Sequence, residues 1–509
     1  MPTPQDKLAE SLAVLKKLQD EGIVAIHTKN MTRTHRERLI KSGFIKEVMK
    51  GWYISASPEE PAGESTAWYA SFWSFCGDYL KSRFDNQWCL SPEQSLSIHS
   101  GNWNVPEQLL VRTPKGGNKP ISLLHETSIM DVRLKLPEMN DIEIKENLRI
   151  MTLPAALISI APGYYSNNAI GARAALSMIS DASEILHKLL EGGRSTVAGR
   201  LAGAFRNIGK NVIADNIIEA MRAAGYSITE NDPFEDKHII IFSERELSPY
   251  VNRIRMNWAD MRDIVLENFP QAPLLHQNTD EYLKHVDDIY LTDAYHSLSI
   301  EGYRVSEELI EHVRSGNWDP ETNRKDKEYV NALAARGYWQ AFQAVKKSLA
   351  KILNKNSPGP VVSNDHSIWY RELFAPSVSA GLTATSDLAG YRNQPVYIRK
   401  SMHVPPRYES VRDLMPAFFS LLKDEKEPAV KAVLGHFFFV YIHPYIDGNG
   451  RMGRFLMNAM LASGGYPWTV IPLETRNDYM ATLEEASVRK NIEPFSRFLA
   501  ELVQKEGCY

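Results

Sequence analysis

Apolar runs flank a short polar segment near the C-terminal end of the chain. Residues 437–442 read Phe-Phe-Phe-Val-Tyr-Ile, and another apolar group at helical spacing begins at Phe455. The pattern predicts two buried helices. The segment between them, residues 443–454, reads His-Pro-Tyr-Ile-Asp-Gly-Asn-Gly-Arg-Met-Gly-Arg. Because proline disfavours helical geometry in the residue before it, we expect the first helix to end near His443 and a loop to follow.

The head of the chain predicts a small helical unit closed by a hairpin. Its first helix has an apolar stripe made of Leu8, Leu12, Leu15 and Leu18. A second helix is predicted over residues 32–42, and residues 44–54 are typical of two strands around a turn. This order of elements resembles the winged helix-turn-helix found at the head of AbiEi-like antitoxins.

The middle of the chain has weaker patterns, which predict a mixed α/β region without a catalytic constellation. The predicted strands are residues 109–112, 141–144 and 239–242, and the predicted helices are residues 171–190 and 211–224. A polar stretch at 229–237 indicates a loop, with a domain boundary near Ser243. From Leu247 onward the pattern is strongly helical up to about residue 385.

Composition and charge limit the classes of protein to which this chain can belong. A length of 509 residues favours about three domains, and we assign them to residues 1–60, 61–242 and 243–509. The net charge of −4 argues against a surface coated uniformly by nucleic acid. The three cysteines, at 76, 89 and 508, show neither metal spacing nor an even disulfide set. With no signal-like start and no apolar run of membrane-spanning length, the sequence predicts a cytoplasmic protein without a membrane partner.

The polar loop near the C-terminal end suits phosphate. Gly448 and Gly450 have no Cβ, so a ligand can approach the backbone there. Peptide N–H groups at the start of the second predicted helix would face such a ligand. Arg451 and Arg454 are three residues apart and share a helix face, so each can bind a phosphate oxygen.

The same loop also contains a candidate base and a candidate metal ligand. Asp447 offers the hard oxygen that Mg²⁺ takes alongside substrate phosphates. His443 has an unperturbed pKa that suits a general base near neutrality. A lone His or Asp-Gly pair is usually turn chemistry, but twelve residues that combine all these groups indicate a site. The loop lacks the Gly-Lys-Ser/Thr ending of a P-loop.

Residues 443–454 resemble the signature loop of Fic-domain proteins, with Tyr445 where that family usually has Phe. The family mostly transfers AMP from ATP to a hydroxyl side chain of a target protein. The resemblance implies that His443 is the catalytic base and that Asp447 holds Mg²⁺ against the α- and β-phosphates. It also implies an ATP-binding set that consists of Gly448, Asn449, Gly450, Arg451, Met452, Gly453, Arg454 and Tyr479.

Individual roles within that set follow from the same resemblance. Asn449, with the amides of Gly448 and Gly450, would hold the α-phosphate. Arg451 would bind the β-phosphate and Arg454 the γ-phosphate. Tyr479 is a candidate for stacking on the adenine, with a core position as the alternative.

A second motif lies upstream, where residues 297–302 read Ser-Leu-Ser-Ile-Glu-Gly. Taken alone, Glu301 is a helix-end carboxylate and Gly302 a C-terminal stop. Together with Ser297 they resemble the inhibitory motif of Fic proteins, in which the glutamate reaches the second arginine of the loop, here Arg454. A carboxylate competes with phosphate for one guanidinium fork, so the motif predicts a self-inhibited protein.

Residues 389–398 predict a β-hairpin with its bend at residues 393–395. In Fic proteins the corresponding hairpin is a flap that docks the target segment by strand addition. The docking residues that this resemblance implies are Tyr391, Arg392, Val396 and Ile398. An ordinary surface hairpin is the alternative.

The N-terminal winged helix is locally basic, with seven Lys/Arg against two Glu between residues 29 and 50. Arg33, Arg36 and Arg38 would lie on the recognition helix, and Lys46 and Lys50 on the wing. The sequence therefore makes DNA a candidate partner. A solvated basic face is the alternative.

The whole sequence predicts a multidomain, mainly α chain. A winged helix and a mixed α/β region precede an all-helical Fic domain with a β-hairpin flap. The leading hypothesis is a protein adenylyltransferase, self-inhibited through Glu301, that modifies a Tyr, Thr or Ser of a target or of itself. Two alternatives stay open. One is removal of AMP, or transfer of another phosphate-linked group, by the same fold. The other is a DNA-binding regulator whose Fic half senses nucleotide. A homodimer is a further candidate assembly.

Overall fold

The computed structural model describes residues 3–58, 65–234, 248–273, 278–316 and 329–506. The chain divides into two compact units. The first consists of Met1–Arg253 with Tyr397–Val404, and the second of Ile254–Val396 with Pro405–Tyr509. The boundary predicted near Ser243 lies outside the described residues, as does the strand predicted at 239–242.

The first unit begins with the predicted order of helix, helix and hairpin. Its elements are α1 (Pro4–Asp20), β1 (Ile26–His27), α2 (Arg33–Lys41), β2 (Ile45–Met49) and β3 (Trp52–Ser55). The three strands are antiparallel in the order β1-β3-β2. Thr3 starts α1 with a capping box to Asp6, and Leu15 and Leu18 of the predicted stripe are buried. A helix followed by a two-stranded antiparallel hairpin is therefore present, and the winged-helix resemblance stays a prediction.

The next part of the first unit is α/β, as predicted. It contains α3 (Thr66–Phe84), β4 (Cys89–Leu90), α4 (Pro92–His99), β5 (Gln108–Thr113), β6 (Pro120–Ser122), β7 (Ser128–Arg133), β8 (Ile142–Lys145) and β9 (Leu148–Met151). One sheet has the order β4-β5-β7-β6, with β5 and β7 parallel, and β8 and β9 form a hairpin. The strands predicted at 109–112 and 141–144 correspond to β5 and β8. Cys76 and Cys89 are buried free thiols.

Helices complete the first unit. They are α5 (Leu153–Ser159), α6 (Tyr164–Asn167), α7 (Ala169–Ser177), α8 (Ser183–Glu191), α9 (Ser195–Asn207) and α10 (Asn211–Ala223). The helix predicted over 171–190 is wrong as one element, because it is broken between α7 and α8. There Glu184 accepts hydrogen bonds from the main-chain N–H groups of Ser180 and Asp181, and these bonds replace continuation of the helix.

The second unit is all-helical in its described residues. The helices from the division of the units to the C-terminal end are α11 (Pro249–Asn268), α12 (Thr279–Ile300), α13 (Glu307–Arg314), α14 (Tyr329–Leu353), α15 (Pro358–Ser379), α16 (Tyr408–Asp424), α17 (Pro428–Ile442), α18 (Asn449–Ser463), α19 (Arg476–Val488) and α20 (Glu493–Glu506). Helix α14 packs along α15, and α17 packs along α18.

Helix α17 forms the centre of the second unit. Every residue from 429 to 439 is buried, so this helix is covered by protein on all sides. Helix α18 is nearly as buried, from Arg451 to Ala462. The loop between them therefore stands on a packed helix pair, which fixes its two ends. Within the described ranges, no helix is long and apolar enough to cross a membrane.

Candidate active site

The loop between α17 and α18 begins where the sequence predicts. Helix α17 ends at Ile442, and His443 caps it in the left-handed region with φ 53° and ψ 60°. The N–H of His443 still donates to the Phe439 carbonyl at 3.0 Å. Pro444 follows and cannot continue the helix. The chain thus turns away from α17 at His443 itself.

Asn449 closes the loop onto itself. Its side-chain oxygen accepts a hydrogen bond from the N–H of Tyr445, and its side-chain NH₂ donates to the Tyr445 carbonyl, both at 2.9 Å. Asn449 is 1% exposed. These two bonds fix Asn449 within the loop, and its expected contact with an α-phosphate stays a prediction. Its main-chain N–H, in the first turn of α18, has no earlier helical carbonyl to bond.

His443 is arranged as a neutral base. Its Nδ1 lies 3.1 Å from the Val440 carbonyl. A carbonyl can only accept, so Nδ1 carries the proton and Nε2 keeps a free lone pair. Burial, with a smaller contribution from the charge of Arg392, lowers the pKa of His443 to about 4, although the Val440 hydrogen bond, Glu301 and Asp447 oppose the shift. The imidazole is therefore neutral and ready to accept a proton at neutral pH.

At two positions of the loop, the neighbouring atoms leave no room for a side chain, so glycine is required. Gly448 has φ +79°, and a Cβ there would lie 2.7 Å from Phe374. Gly450 leaves room for the Glu301 carboxylate, since a Cβ on Gly450 would lie 2.3 Å from the Glu301 Oε1. The missing side chain at Gly450 therefore leaves room for a carboxylate at the start of α18, which is the helix end that favours anions.

Arg454 joins the loop to the upstream motif, as the resemblance implies. Its Nε donates to the Ser297 hydroxyl at 2.8 Å, and its Nη2 donates to the Ser297 carbonyl at 2.9 Å and to the Glu301 Oε1 at 2.7 Å. Arg454 is 4% exposed, and its Nη1 has no hydrogen-bond partner in the described part of the chain. One buried N–H donor group is thus left over beside the carboxylate.

Glu301 caps the C-terminal end of α12 and is ionised. Helix α12 stops at Ile300, Glu301 caps it, and Gly302 follows at φ +92°, which is the stop that the sequence indicates. Burial raises the pKa of Glu301, but the charges of Arg454 and Arg451 and the hydrogen bond from Arg454 outweigh it and leave the pKa below its ordinary value. Its side chain is 26% exposed.

Arg451 is held by two aromatic rings that sequence reasoning missed. Its guanidinium carbon lies 5.2 Å from the ring centre of Tyr303 and 5.1 Å from that of Phe374. Its Nη2 is 3.4 Å from the Asp447 Oδ2, and its Nε has no partner among the described residues. Tyr303 directly follows the upstream motif, which is a usable signal. Nothing in the sequence marks Phe374.

Asp447 fits the role of a magnesium ligand. Its side chain is 63% exposed, and its Oδ1 accepts a hydrogen bond from the N–H of Gly448 at 2.6 Å. The described residues contain no cluster of three or more His, Cys, Asp or Glu that could hold a metal by themselves. Mg²⁺ commonly uses one or two carboxylates together with substrate phosphates, so a single accessible carboxylate is compatible with it.

Three residues of the expected ATP-binding set belong to the core. Met452 is 1% exposed, and a Cβ on Gly453 would lie 2.9 Å from Val440, so these two positions pack α18 against α17. Tyr479 is 1% exposed, and its hydroxyl lies 2.8 Å from the Nε2 of the buried His436. The alternative of a core position therefore fits Tyr479 better than stacking on adenine.

The predicted hairpin at 389–398 is wrong, since these residues form no strand within the described structure. Tyr391 is half-buried, and its hydroxyl lies 3.0 Å from the His366 Nε2. Arg392 is 2% exposed, so it is not available to dock a target. Val396 is half-buried and stays a docking prediction. Ile398 belongs to the segment Tyr397–Val404, which is part of the first unit.

The arginines predicted to contact DNA lie on α2, in the first unit. Arg33 pairs with Glu37 at 2.6 Å on the helix surface. Arg38 donates to the Lys7 carbonyl at 3.1 Å, and Arg36 is half-buried. Two of the three arginines therefore have partners within the protein, and DNA contact stays a prediction.

Comparison with known proteins identifies one part of the chain. Residues 368–461 match the Fic/DOC family. A "Protein adenylyltransferase Fic" of Nematostella vectensis is 41% identical over 119 residues, which are 23% of this chain and 27% of that protein. The protein of the same name from Drosophila yakuba is 40% identical over 119 residues, 23% of each chain. The chain thus spans only about a quarter of the length of these relatives.

Among solved structures, "Fic-1 (aa134 - 508) from C. elegans" is 19% identical, with 66% of this chain and 96% of that chain covered and a TM-score of 0.37. The family match does include the whole loop from His443 to Arg454 and the segment of Arg392. The match to the Fic/DOC family therefore covers residues 368–461 of this chain, with the complete loop inside them.

Proposed function

We propose that this chain is a protein adenylyltransferase that transfers AMP from ATP to a side-chain hydroxyl of a target protein or of itself, and that Glu301 keeps it inactive. One observation carries the proposal. The Glu301 carboxylate lies over the start of α18 and pairs with Arg454 at 2.7 Å. A carboxylate oxygen held there stands where a phosphate oxygen can bind.

The donors around this position support a polyphosphate ligand. Arg451 and Arg454 are 1% and 4% exposed, and each keeps a buried N–H donor without a partner in the described residues. The main-chain N–H groups of the first turn of α18 add further donors. Two buried guanidinium groups at the N-terminal end of α18 are the charge-assisted donors that a nucleotide's phosphates bind.

The residues of the loop then have separate tasks. The amides at the start of α18 and the two arginines hold the phosphates of ATP, and Asp447 would hold Mg²⁺. A bound Mg²⁺ would offset the negative charge of the phosphates. His443 accepts the hydroxyl proton at Nε2 while the hydroxyl oxygen attacks the α-phosphorus. The new bond joins that oxygen to AMP, the bond between the α-phosphorus and the bridging oxygen breaks, and pyrophosphate leaves.

The test is the intact mass of Glu301→Gly after incubation with Mg·ATP, alone and with a mixture of candidate target proteins. We expect a gain of one AMP per modified chain, because removal of the carboxylate frees Arg454 for the γ-phosphate. The variant Glu281→Gly, on the exposed first turn of the same helix, is the matched control and should behave as the unmodified chain. Addition of His443→Ala to Glu301→Gly should abolish the gain.

The partly exposed and ionised Glu301 also suits a second candidate activity, the hydrolytic removal of AMP from a modified protein. Loss of α-³²P label from a pre-modified target would indicate this activity, provided that the loss requires both Glu301 and His443. If Glu301→Gly neither gains AMP nor binds Mg·ATP, the transfer proposal is wrong, and if the unmodified chain removes no label from a modified target, the hydrolytic proposal is wrong. A regulator that binds DNA through α2, or a homodimer, would then have to be tested by salt-dependent duplex binding and by sedimentation.

A further inference from the structure

Arg392 is a buried cation whose hydrogen bonds all go to main-chain oxygens. It is 2% exposed. Its Nε donates to the His443 carbonyl at 2.8 Å, its Nη1 to the Gln394 carbonyl at 3.2 Å, and its Nη2 to the carbonyls of Pro406 and Ile442. Its main-chain N–H donates to the Pro444 carbonyl at 2.9 Å.

Arg392 has no ion-pair partner in the described part of the chain. Burial lowers its pKa to about 10, and the charge of Glu409 only partly opposes this effect. An uncompensated buried charge destabilises a fold, so an arginine in this setting requires a compensating field. The carbonyls of Ile442 and His443 supply that field, because they form the negative end of α17.

Helix α17 needs a cation at this end. Its last turn contains no basic residue, and its carbonyls cannot reach water freely because the helix is buried. Arg392, from a segment of the chain about fifty residues earlier, provides the missing donors. It therefore acts as a C-terminal cap of α17 that is supplied from outside the helix.

This cap acts on the two peptide groups that follow the Cα of the base. His443 has φ 53°, a left-handed conformation that is strained for a non-glycine residue. Its own carbonyl is bound by the Arg392 guanidinium, and the carbonyl of the next residue, Pro444, is bound by the Arg392 main-chain N–H. These two bonds fix the backbone from which the imidazole projects.

We propose that Arg392 is the positioning residue of the base, and that its guanidinium holds His443 in the left-handed conformation that aims the imidazole at the reacting hydroxyl. The proposal rests on the proposed function of His443. The charge of Arg392 has a second effect in the same direction, since it disfavours protonation of the imidazole. The other charged groups that face His443 are Glu301 from α12 and Asp447 from the loop, and both favour protonation.

The kinetic test compares Arg392→Lys and Arg392→Met in the Glu301→Gly background, with Arg412→Met on the exposed face of α16 as the matched control. We expect Arg392→Met to lower kcat for AMP transfer at least 100-fold while KM for ATP changes less than threefold. Arg392→Lys keeps the charge but not the fork, so a fall of about tenfold is expected.

A spectroscopic test is independent of turnover. In protein labelled with ¹⁵N-histidine, the His443 signals are identified by their loss in His443→Gln. The midpoint of their titration should rise in Arg392→Met and stay near the unmodified value in Arg392→Lys, because only the first change removes the positive charge. Equal midpoints in all three proteins would overturn the proposal, and so would a kcat of Arg392→Met within threefold of the background.

The two tests separate this proposal from the proposed function. If Glu301→Gly transfers no AMP with Arg392 intact, the proposed function fails, and the histidine titration still decides whether Arg392 acts on His443. If Arg392→Met does not fold, as judged by circular dichroism, the kcat of Arg392→Lys is used to test the proposal instead. A kcat for Arg392→Lys equal to that of the background would then contradict the proposal.

Discussion

The buried ring of Tyr445 anchors the loop of residues 443–454 in the core. Its ring stacks on Tyr370 with a centroid distance of 3.7 Å and an interplanar angle of 8°, and it is 1% exposed. Burial raises the pKa of its hydroxyl far above the ordinary value. The loop residue that differs from the usual Fic pattern is therefore a packing residue, and its ring matters more than its hydroxyl.

The variants Tyr445→Phe and Tyr445→Ala test this interpretation. Tyr445→Phe keeps the stacked ring, so we expect the free energy of unfolding to change by less than about 1 kcal/mol. Tyr445→Ala leaves a cavity and should lower it by about 3–5 kcal/mol. Thermal unfolding by calorimetry measures both. An equally large loss in both variants would show that the hydroxyl, and not the ring, holds the loop.

At the scale of elements, the last turn of α12 determines where Glu301 lies. Gly302 follows that turn at φ +92°, and its N–H donates to the Ser299 carbonyl at 3.0 Å. A Cβ at this glycine would contact nothing within 4 Å. Any side chain here therefore changes the backbone energy alone, without a steric clash.

Gly302→Ala should weaken self-inhibition through the turn. The left-handed conformation costs alanine roughly 1 kcal/mol, so the last turn of α12 and its carboxylate are released more often. We expect AMP incorporation to rise up to about fivefold in an otherwise unchanged chain, less than in Glu301→Gly. Gly302→Asn, which tolerates this conformation better, should rise less. A faster rate in Gly302→Asn than in Gly302→Ala would contradict the argument.

The elements that were predictable from the sequence are those whose contacts lie within one short stretch. The end of α17 at His443, the glycines of the loop and the stop at Gly302 each follow from a local rule. The hairpin at 389–398 failed because its residues bond elsewhere: the N–H of Arg392 goes to the Pro444 carbonyl. No local pattern shows such a partner.

The same limit applies within the site. The resemblance places Met452 and Tyr479 in the ATP-binding set, but both side chains are buried, and residues far away in sequence determine their environment. Tyr479 contacts His436, which is 43 residues earlier. The one long-range contact that was predicted, between Glu301 and Arg454, came from resemblance to a family, not from periodicity or spacing.

At the scale of the whole molecule, buried histidines make stability depend on pH. Burial lowers the pKa of both His436 and His443 from 6.5 to about 4. Between pH 6.5 and pH 4 the unfolded chain binds protons at these sites that the folded chain does not. Their contribution to stability is thus fully present above pH 6.5 and is lost as the pH falls towards 4. Asp293 acts in the opposite direction, since burial raises its pKa from 3.8 to about 6.

His436→Gln should therefore reduce the sensitivity of the fold to acid. In the unmodified chain the contribution of each of the two histidines to the free energy of unfolding falls by about 2 kcal/mol between pH 7 and pH 5. Protonation of Asp293 raises the free energy of unfolding by less than this. The variant removes one of them, so the drop in unfolding temperature between pH 7 and pH 5, measured by calorimetry, should become smaller, although its unfolding temperature at pH 7 is itself lower. His312→Gln, on the exposed face of α13, is the matched control. The same drop in unfolding temperature in all three proteins would mean that burial does not hold His436 neutral. Water would then have to reach the packed pair of α17 and α18.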